Sequence, residues 1–280
     1  MSKRPLTCVA CGEPLVQYDP NVFVHPACDP FNVADESEAD WVKAEMTKII
    51  KWADSHSPRS LQTNLGPSEL GSPCDRRLGY RMAGTPECNN NRDPWAAIVG
   101  TAIHKWLEDA TNRWCTAHAN TDWVTEKGIE ISEVVSSHPD LFNVPKGMVI
   151  DHKSVSADRM KEVRKDGPPI GHQVQVHTYG YAYERLGYKV NTVGLAFYPR
   201  SGWLRHMFVW TAPYDRNVAE RALARPPSVA AQLVGLGVLD NPHRWEQVPA
   251  VPGNDCGWCP WYNPNRTAEQ GASEQGCPGT

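Results

Sequence analysis

Four cysteines split across the chain constrain its fold more than any other feature. Cys74 stands alone ahead of the centre, whereas Cys256, Cys259 and Cys277 lie close together far downstream. If they share one site, a loop of about 180 residues must close between them, so the late segment has to return to the early one. Nine cysteines in one chain could form disulfides, but paired Cys-x-x-Cys spacings suit metal ligation better. Four thiolates are the number that holds either a 4Fe-4S iron-sulfur cluster or a structural Zn2+, and spacing does not choose between them. A second set, Cys8, Cys11, His25 and Cys28, follows a C-x2-C-x13-H-x2-C pattern and reads as a separate Zn2+ site. The remaining Cys88 and Cys115 have no partner pattern and read as free thiols.

The chain has 280 residues, 40% of them hydrophobic, enough for one large domain or one domain with a small appendage. No run approaches the roughly 18–20 apolar residues of a membrane span, and the first residues lack the apolar region of a signal peptide. The expectation is a cytoplasmic protein with no membrane partner. The net charge of −4 does not advertise a nucleic-acid binder, although basic residues need only be local. Arg76, Arg77 and Arg81 form one such cluster and Lys161, Arg164 and Lys165 another; each reads either as a DNA contact or as an ordinary solvated helix face. No G-x-x-x-x-G-K-[ST] phosphate loop is present, which excludes a nucleotide-driven motor of that type.

Residues 1–34 form a loop-rich knuckle with too little apolar matter to fold without metal, and residues 35–64 a helix and linker. The main domain, 65–280, carries a helical pattern at 95–115 and strand patterns at 122–134, 140–144 and 147–151. A helix follows at 172–186, a strand pair at 192–198 and 203–211, and a helix at 214–235 broken at Pro226-Pro227. This order predicts an α/β core with a mixed sheet.

Within that order, Pro139-Asp140 is followed after ten residues by Asp151-His152-Lys153. A turn at Pro145-Lys146-Gly147 returns the chain so that Asp140 and Asp151 converge, and the strand period of two sets Asp151 and Lys153 on one face. Two carboxylates suit Mg2+ or Mn2+, with the ammonium beside a metal-bound water. Upstream, His104 and Glu108 stand one helical turn apart, where either could complete the metal shell or Glu108 could make a surface ion pair. Downstream, Gln175 and Tyr179 share a helix face able to hold a phosphate or base, or to pack on the sheet.

The order Gly-x-x-x-His, Pro-Asp, Asp-x-Lys, Gln-x-x-x-Tyr, at Gly100 to His104, Asp140, Asp151 to Lys153 and Gln175 to Tyr179, resembles the RecB-type family of PD-(D/E)-x-K nucleases. With Cys74 and the three downstream cysteines it resembles that family's iron-sulfur branch, which includes CRISPR-associated "Cas four" exonucleases and phage-encoded relatives. The resemblance covers about residues 65–280 and implies a restriction-endonuclease-like core, a mixed sheet flanked by helices, with a C-terminal cysteine cluster. It implies His104, Asp140, Asp151 and the carbonyl of His152 as Mg2+ or Mn2+ ligands, Lys153 as catalytic lysine, and Gln175 and Tyr179 as the last motif. It further implies an iron-sulfur cluster at Cys74, Cys256, Cys259 and Cys277, and DNA, cut from single-stranded 5′ ends, as substrate. Asp151 stands where many relatives carry Glu. A non-catalytic DNA-binding adaptor and a structure-specific endonuclease are the alternative readings.

Overall fold

The computed structural model describes residues 36–56, 64–89, 93–125, 128–251, 253–265 and 276–279. Two compact units divide the chain, residues 1–62 and 63–280. The described part of the first is one helix, α1 (Glu36–Ser55). The zinc-site residues Cys8, Cys11, His25 and Cys28 lie outside the described residues.

The second unit is built on a five-stranded sheet in the order β1-β4-β5-β6-β7. Its members are β1 (Trp123–Thr125), β4 (Leu141–Asn143), β5 (Met148–Val155), β6 (Thr192–Pro199) and β7 (Phe208–Pro213). β5 and β6 run parallel and every other pair is antiparallel. A parallel neighbour needs a long crossover, supplied here by α5 (Ala157–Asp166) and α6 (Ile170–Arg185). On one face of the sheet, α4 (Trp95–Ala117) meets β1 and β5; Gly100 reaches the Ser154 side chain. On the other, α6 lies against β5 and β6, backed by α7 (Arg216–Leu236) and by α2 (Pro67–Leu70). The result is a mixed sheet flanked by helices. Its core joins Phe142, Val149, Val193, Leu195 and Phe197 from the strands to Val176 and Tyr183 from α6, with Phe142 stacked on Tyr183 at 4.1 Å.

Several elements depart from the sequence pattern. The span 122–134 is not one strand: β1 joins the main sheet, whereas β2 (Ile129–Ser132) pairs with β3 (Val135–Ser137) in a separate two-stranded ribbon. β7 starts only at Phe208, because Leu204–His206 forms a 3-10 turn. α5 has no predicted counterpart; only Met160 and Val163 are buried, so its apolar period is faint, and its start is fixed by the Ser156 hydroxyl accepting from the Arg159 N–H. α7 runs unbroken through Pro226-Pro227. Ala222, Pro226, Val229 and Leu233 are buried at helical spacing, and this packing outweighs the hydrogen bonds the prolines delete. Arg225 adds bonds to the carbonyls of Leu70 and Ser72 and to Asp75. No helix among the described residues is long and apolar enough to cross a membrane.

Candidate active site

The β4–β5 hairpin positions the acids. Its register pairs Leu141 with Ile150, so Asp140, just ahead of β4, comes level with Asp151. The turn needs Gly147, which holds φ +59° and whose added Cβ would overlap the Lys189 carbonyl oxygen. Asp140 Oδ2 accepts the His152 backbone N–H at 2.6 Å, locking the two strands' acids together. The alternation of β5 then sends Asp151 and Lys153 toward α6 and His152 toward α4.

On the α6 side, Lys153 Nζ stands 2.7 Å from Asp151 Oδ2 and donates to Gln175 Oε1 at 2.9 Å. The Gln175 amide donates to the Tyr179 hydroxyl at 2.8 Å and, more weakly, to Asp151 Oδ1 at 3.4 Å. Gln175 and Tyr179 therefore belong to one network with the hairpin. On the α4 side, His104 Nδ1 lies 3.1 Å from Asp140 Oδ1, and the His104 and His152 rings meet edge to face at 6.0 Å. Glu108, one turn beyond His104 and half-buried, pairs with Lys105 at 3.0 Å.

The electrostatics of the cluster follow from burial. Asp151 is 1% exposed, and burial together with the neighbouring Asp140 charge pushes its carboxyl up to about 6 against the pull of Lys153. Burial also opposes ionisation of Asp140, but the hydrogen bond and charge of His104, with His152, bring it below the usual carboxylate range. For His104 burial is outweighed by its Asp140 hydrogen bond and by both carboxylates, so the imidazole is raised. Burial, with the charges of His104 and Lys153, drops His152 to about 4. Among the described residues no three His, Cys, Asp or Glu side chains stand ready as a ligand set, because His104 is turned onto Asp140 and Lys153 onto Asp151. The donor chemistry nonetheless suits a hard divalent ion: two buried carboxylates, with an imidazole and the His152 carbonyl at hand, and an Asp151 Oδ2 that makes no well-formed hydrogen bond despite its nearby ammonium.

Two residues at this site were not singled out from the sequence. The Tyr198 hydroxyl lies 3.3 Å from His152 Nδ1; its place depends on the β5/β6 register, which pairs Ser154 with Tyr198 and cannot be read from either strand alone. His172 senses the Lys153 and Arg159 charges, and burial with those charges lowers it to about 3. Its position three residues before Gln175 on α6 is the spacing that could have found it.

Cys74, Cys256, Cys259 and Cys277 all line one pocket of about 300 Å3, shared with Arg76, Arg77, Tyr80 and Arg159. Cys74 caps α3 (Asp75–Met82), its sulfur accepting the Arg77 N–H at 3.4 Å. Cys277 is pinned by its own N–H to the Trp261 carbonyl and by its carbonyl to the Asn263 N–H. Cys88 is not remote from this group: it abuts Gly276, and burial and the adjacent Cys277 raise its thiol. The reading of Arg76 as a DNA contact is corrected. Arg76 is 6% exposed and spends its guanidinium on the carbonyls of Val248 and Glu246 and on Cys277 Sγ, a strap from α3 to the downstream segment. Arg77 faces the cysteine pocket and Arg81 pairs with Glu69, so this cluster does not form a basic surface. In the second cluster Lys161 pairs with exposed Asp158, Lys165 stands near Asp166, and Arg164 donates to the carbonyls of His206 and Met207.

No protein-family model matches the chain, and no curated protein matches it. Among solved structures it is similar to SSO0001, at 16% identity over 79% of this chain and 93% of that one, with a TM-score of 0.43. It is also similar to an alkaline exonuclease, LHK-Exo, from Laribacter hongkongensis, at 15% identity over 62% and 89% with a TM-score of 0.42. A phage related exonuclease from Haemophilus somnus 129PT matches at 10% identity over 49% and 73%, with a TM-score of 0.34.

Proposed function

We propose that residues 65–280 form a metal-dependent deoxyribonuclease domain of the RecB-like PD-(D/E)-x-K type, acting as an exonuclease on single-stranded ends. The observation that carries the reading is the convergence of Asp140, Asp151 and Lys153 from the β4–β5 hairpin with Gln175 from α6 into one hydrogen-bonded constellation. Asp140, Asp151, His104 and the His152 carbonyl would hold Mg2+ or Mn2+. When bound, the ion supplies Lewis-acid polarisation of a phosphoryl oxygen and lowers the pKa of a water. Lys153 offsets negative charge developing on the phosphoryl group, and Gln175 holds the ammonium in place. Burial of Asp151 keeps competing water from its carboxylate.

The cysteine pocket is read as the seat of an iron-sulfur cluster. The four thiols line one pocket, and the family resemblance favours an iron-sulfur cluster there over one Zn2+. Its role is structural, joining α3 to the downstream segment. A Zn2+ site at Cys8, Cys11, His25 and Cys28 completes the reading.

The test is digestion of labelled linear and circular single strands by anaerobically purified protein in Mg2+ or Mn2+, with Asp151→Asn as control. Asparagine keeps the shape of the buried side chain, so folding is preserved while the metal charge is lost. Expected are end-dependent cutting of the linear strand, intact circles, a drop of about a hundredfold or more in the variant, and bound iron. Cut circles would assign an endonuclease; DNA binding without divalent-dependent cutting would assign the adaptor.

A further inference from the structure

The β6–β7 connection, residues 200–207, is an exposed aromatic and basic feature at the C-terminal end of β6. It reads Arg200-Ser201-Gly202-Trp203-Leu204-Arg205-His206-Met207 and holds no carboxylate, in a chain whose net charge is −4. Trp203 is 64% exposed and Leu204 71%, although burying an aromatic side chain removes roughly 150–250 Å2 from water and is favourable. The tip is nevertheless ordered by its own contacts. Gly202 takes φ +98°, Leu204–His206 closes a 3-10 turn, and the Arg205 guanidinium lies over the Trp203 ring at 5.0 Å. Arg164 of α5 clamps its far side through the carbonyls of His206 and Met207.

Its position follows from the register. β6 is parallel to β5, pairing Lys153 with Phe197, Ser154 with Tyr198 and Val155 with Pro199. The connection therefore leaves the sheet at the C-terminal end of β5, two residues beyond Lys153. Arg200 fastens it there, its N–H donating to the Val155 carbonyl at 3.0 Å and its guanidinium to the Ser154 carbonyl at 3.1 Å. A nucleic-acid chain leaving the catalytic strand would meet this tip within a few residues' reach.

We infer that this connection is a binding site for single-stranded DNA, with Trp203 as a stacking platform for an unpaired base and Arg205, with His206, meeting the neighbouring phosphates. An exposed indole offers a face that any base can stack on, and a base in a duplex cannot reach it. The guanidinium over the ring is pre-placed for the phosphate beside the stacked base. The inference rests on the nuclease reading and adds to it the residues that hold the unpaired strand.

The experiment uses the full chain with Ca2+ in place of Mg2+ and a fluorescein-labelled oligothymidylate, read by anisotropy, for wild type, Trp203→Ala, Trp203→Phe and Arg205→Gln. Hydrolysis of the oligonucleotide is compared in Mn2+ with that of the p-nitrophenyl ester of thymidine 5′-monophosphate, too short to reach the tip. Trp203→Ala is expected to weaken oligonucleotide binding about tenfold or more, Trp203→Phe to recover most of it, and the ratio of oligonucleotide to ester hydrolysis to fall in step. Arg205→Gln should weaken binding less and reduce its salt dependence. Wild-type protein with no affinity for the oligonucleotide, or Trp203→Ala and Arg205→Gln binding as tightly as wild type, would overturn the inference. Binding that depends on Trp203 with neither substrate hydrolysed would instead sink the nuclease reading and leave the stacking site standing.

Discussion

The backbone of Gly71 rests directly on that of Gly171: a Cβ added to Gly71 would overlap the Gly171 carbonyl oxygen and stand 3.0 Å from its Cα. Gly71 ends α2, three residues before Cys74, and Gly171 opens α6, four residues before Gln175. The cysteine-bearing segment and α6 are thus in backbone contact, with no side chain between them to absorb a shift. Gly71→Ala must push α6 away from α2. Overpacking of this kind costs about 1–3 kcal/mol, and the displaced helix moves Gln175 off Lys153. The expected result is a lower melting temperature together with a lower kcat on DNA, measured by calorimetry and single-turnover digestion. A variant that loses stability but keeps kcat would show that the two segments are not mechanically joined.

Arg76 supplies a second expectation, because its charge is inside the protein. Lysine cannot reproduce a planar fork reaching the carbonyls of Val248 and Glu246 at once. Arg76→Lys should therefore destabilise by about 2 kcal/mol or more, and release iron if the pocket holds it. Affinity of the folded variant for single-stranded DNA should be that of wild type. Weaker DNA binding at full stability would return Arg76 to the role of a nucleic-acid contact.

A pH dependence follows from His172, whose Nδ1 is buried with no hydrogen-bond partner among the described residues. Burial, with the Lys153 and Arg159 charges, holds this imidazole at about 3, below its ordinary value of 6.5. A depressed folded-state value means that the unfolded chain takes the proton first. The contribution to stability is then complete above about pH 6.5 and is lost as pH falls toward 3. His152, lowered to about 4, acts in the same sense; Asp151 and His104, both raised, act in the opposite one. His172→Phe removes the acid-sensitive group and suits a ring beside Phe197. Between about pH 7.5 and about pH 5 the variant should lose on the order of 1–2 kcal/mol less stability than wild type, by chemical denaturation at each pH. Equal losses would place the His172 ring in solvent.

The parts of the site that could be read in advance are those whose geometry is local. Asp140, Asp151 and Lys153 sit on one hairpin, where a period of two and a Gly147 turn decide everything, and Gln175 and Tyr179 are one helical turn apart. Tyr198 and His172 needed the β5/β6 register and the docking of α6, which no single segment encodes. Arg76 shows a different limit: a run of arginines is the same in sequence whether it faces solvent or straps carbonyls, and only burial separates the two. Pro226-Pro227 was read by the local rule that proline ends helices, but packing on the buried face of α7 overrides that rule. Cys88 had no partner spacing because its neighbour, Cys277, is brought to it by the fold.

In α6, Gln175 through Gly180 are buried without a break, followed by Ala182 and Tyr183. A helix that lies on a sheet usually keeps one side in water, and that side is where a lineage can drift freely. This one has almost none. Sheet, α2 and α7 enclose it while Gln175 and Tyr179 join the hydrogen-bond network of Asp151 and Lys153, so its middle turns answer to packing and to that network at once. For anyone altering the protein, α6 is a block of nearly fixed positions, and variation in substrate preference has to come from elements that retain a free side, the β6–β7 tip and α4.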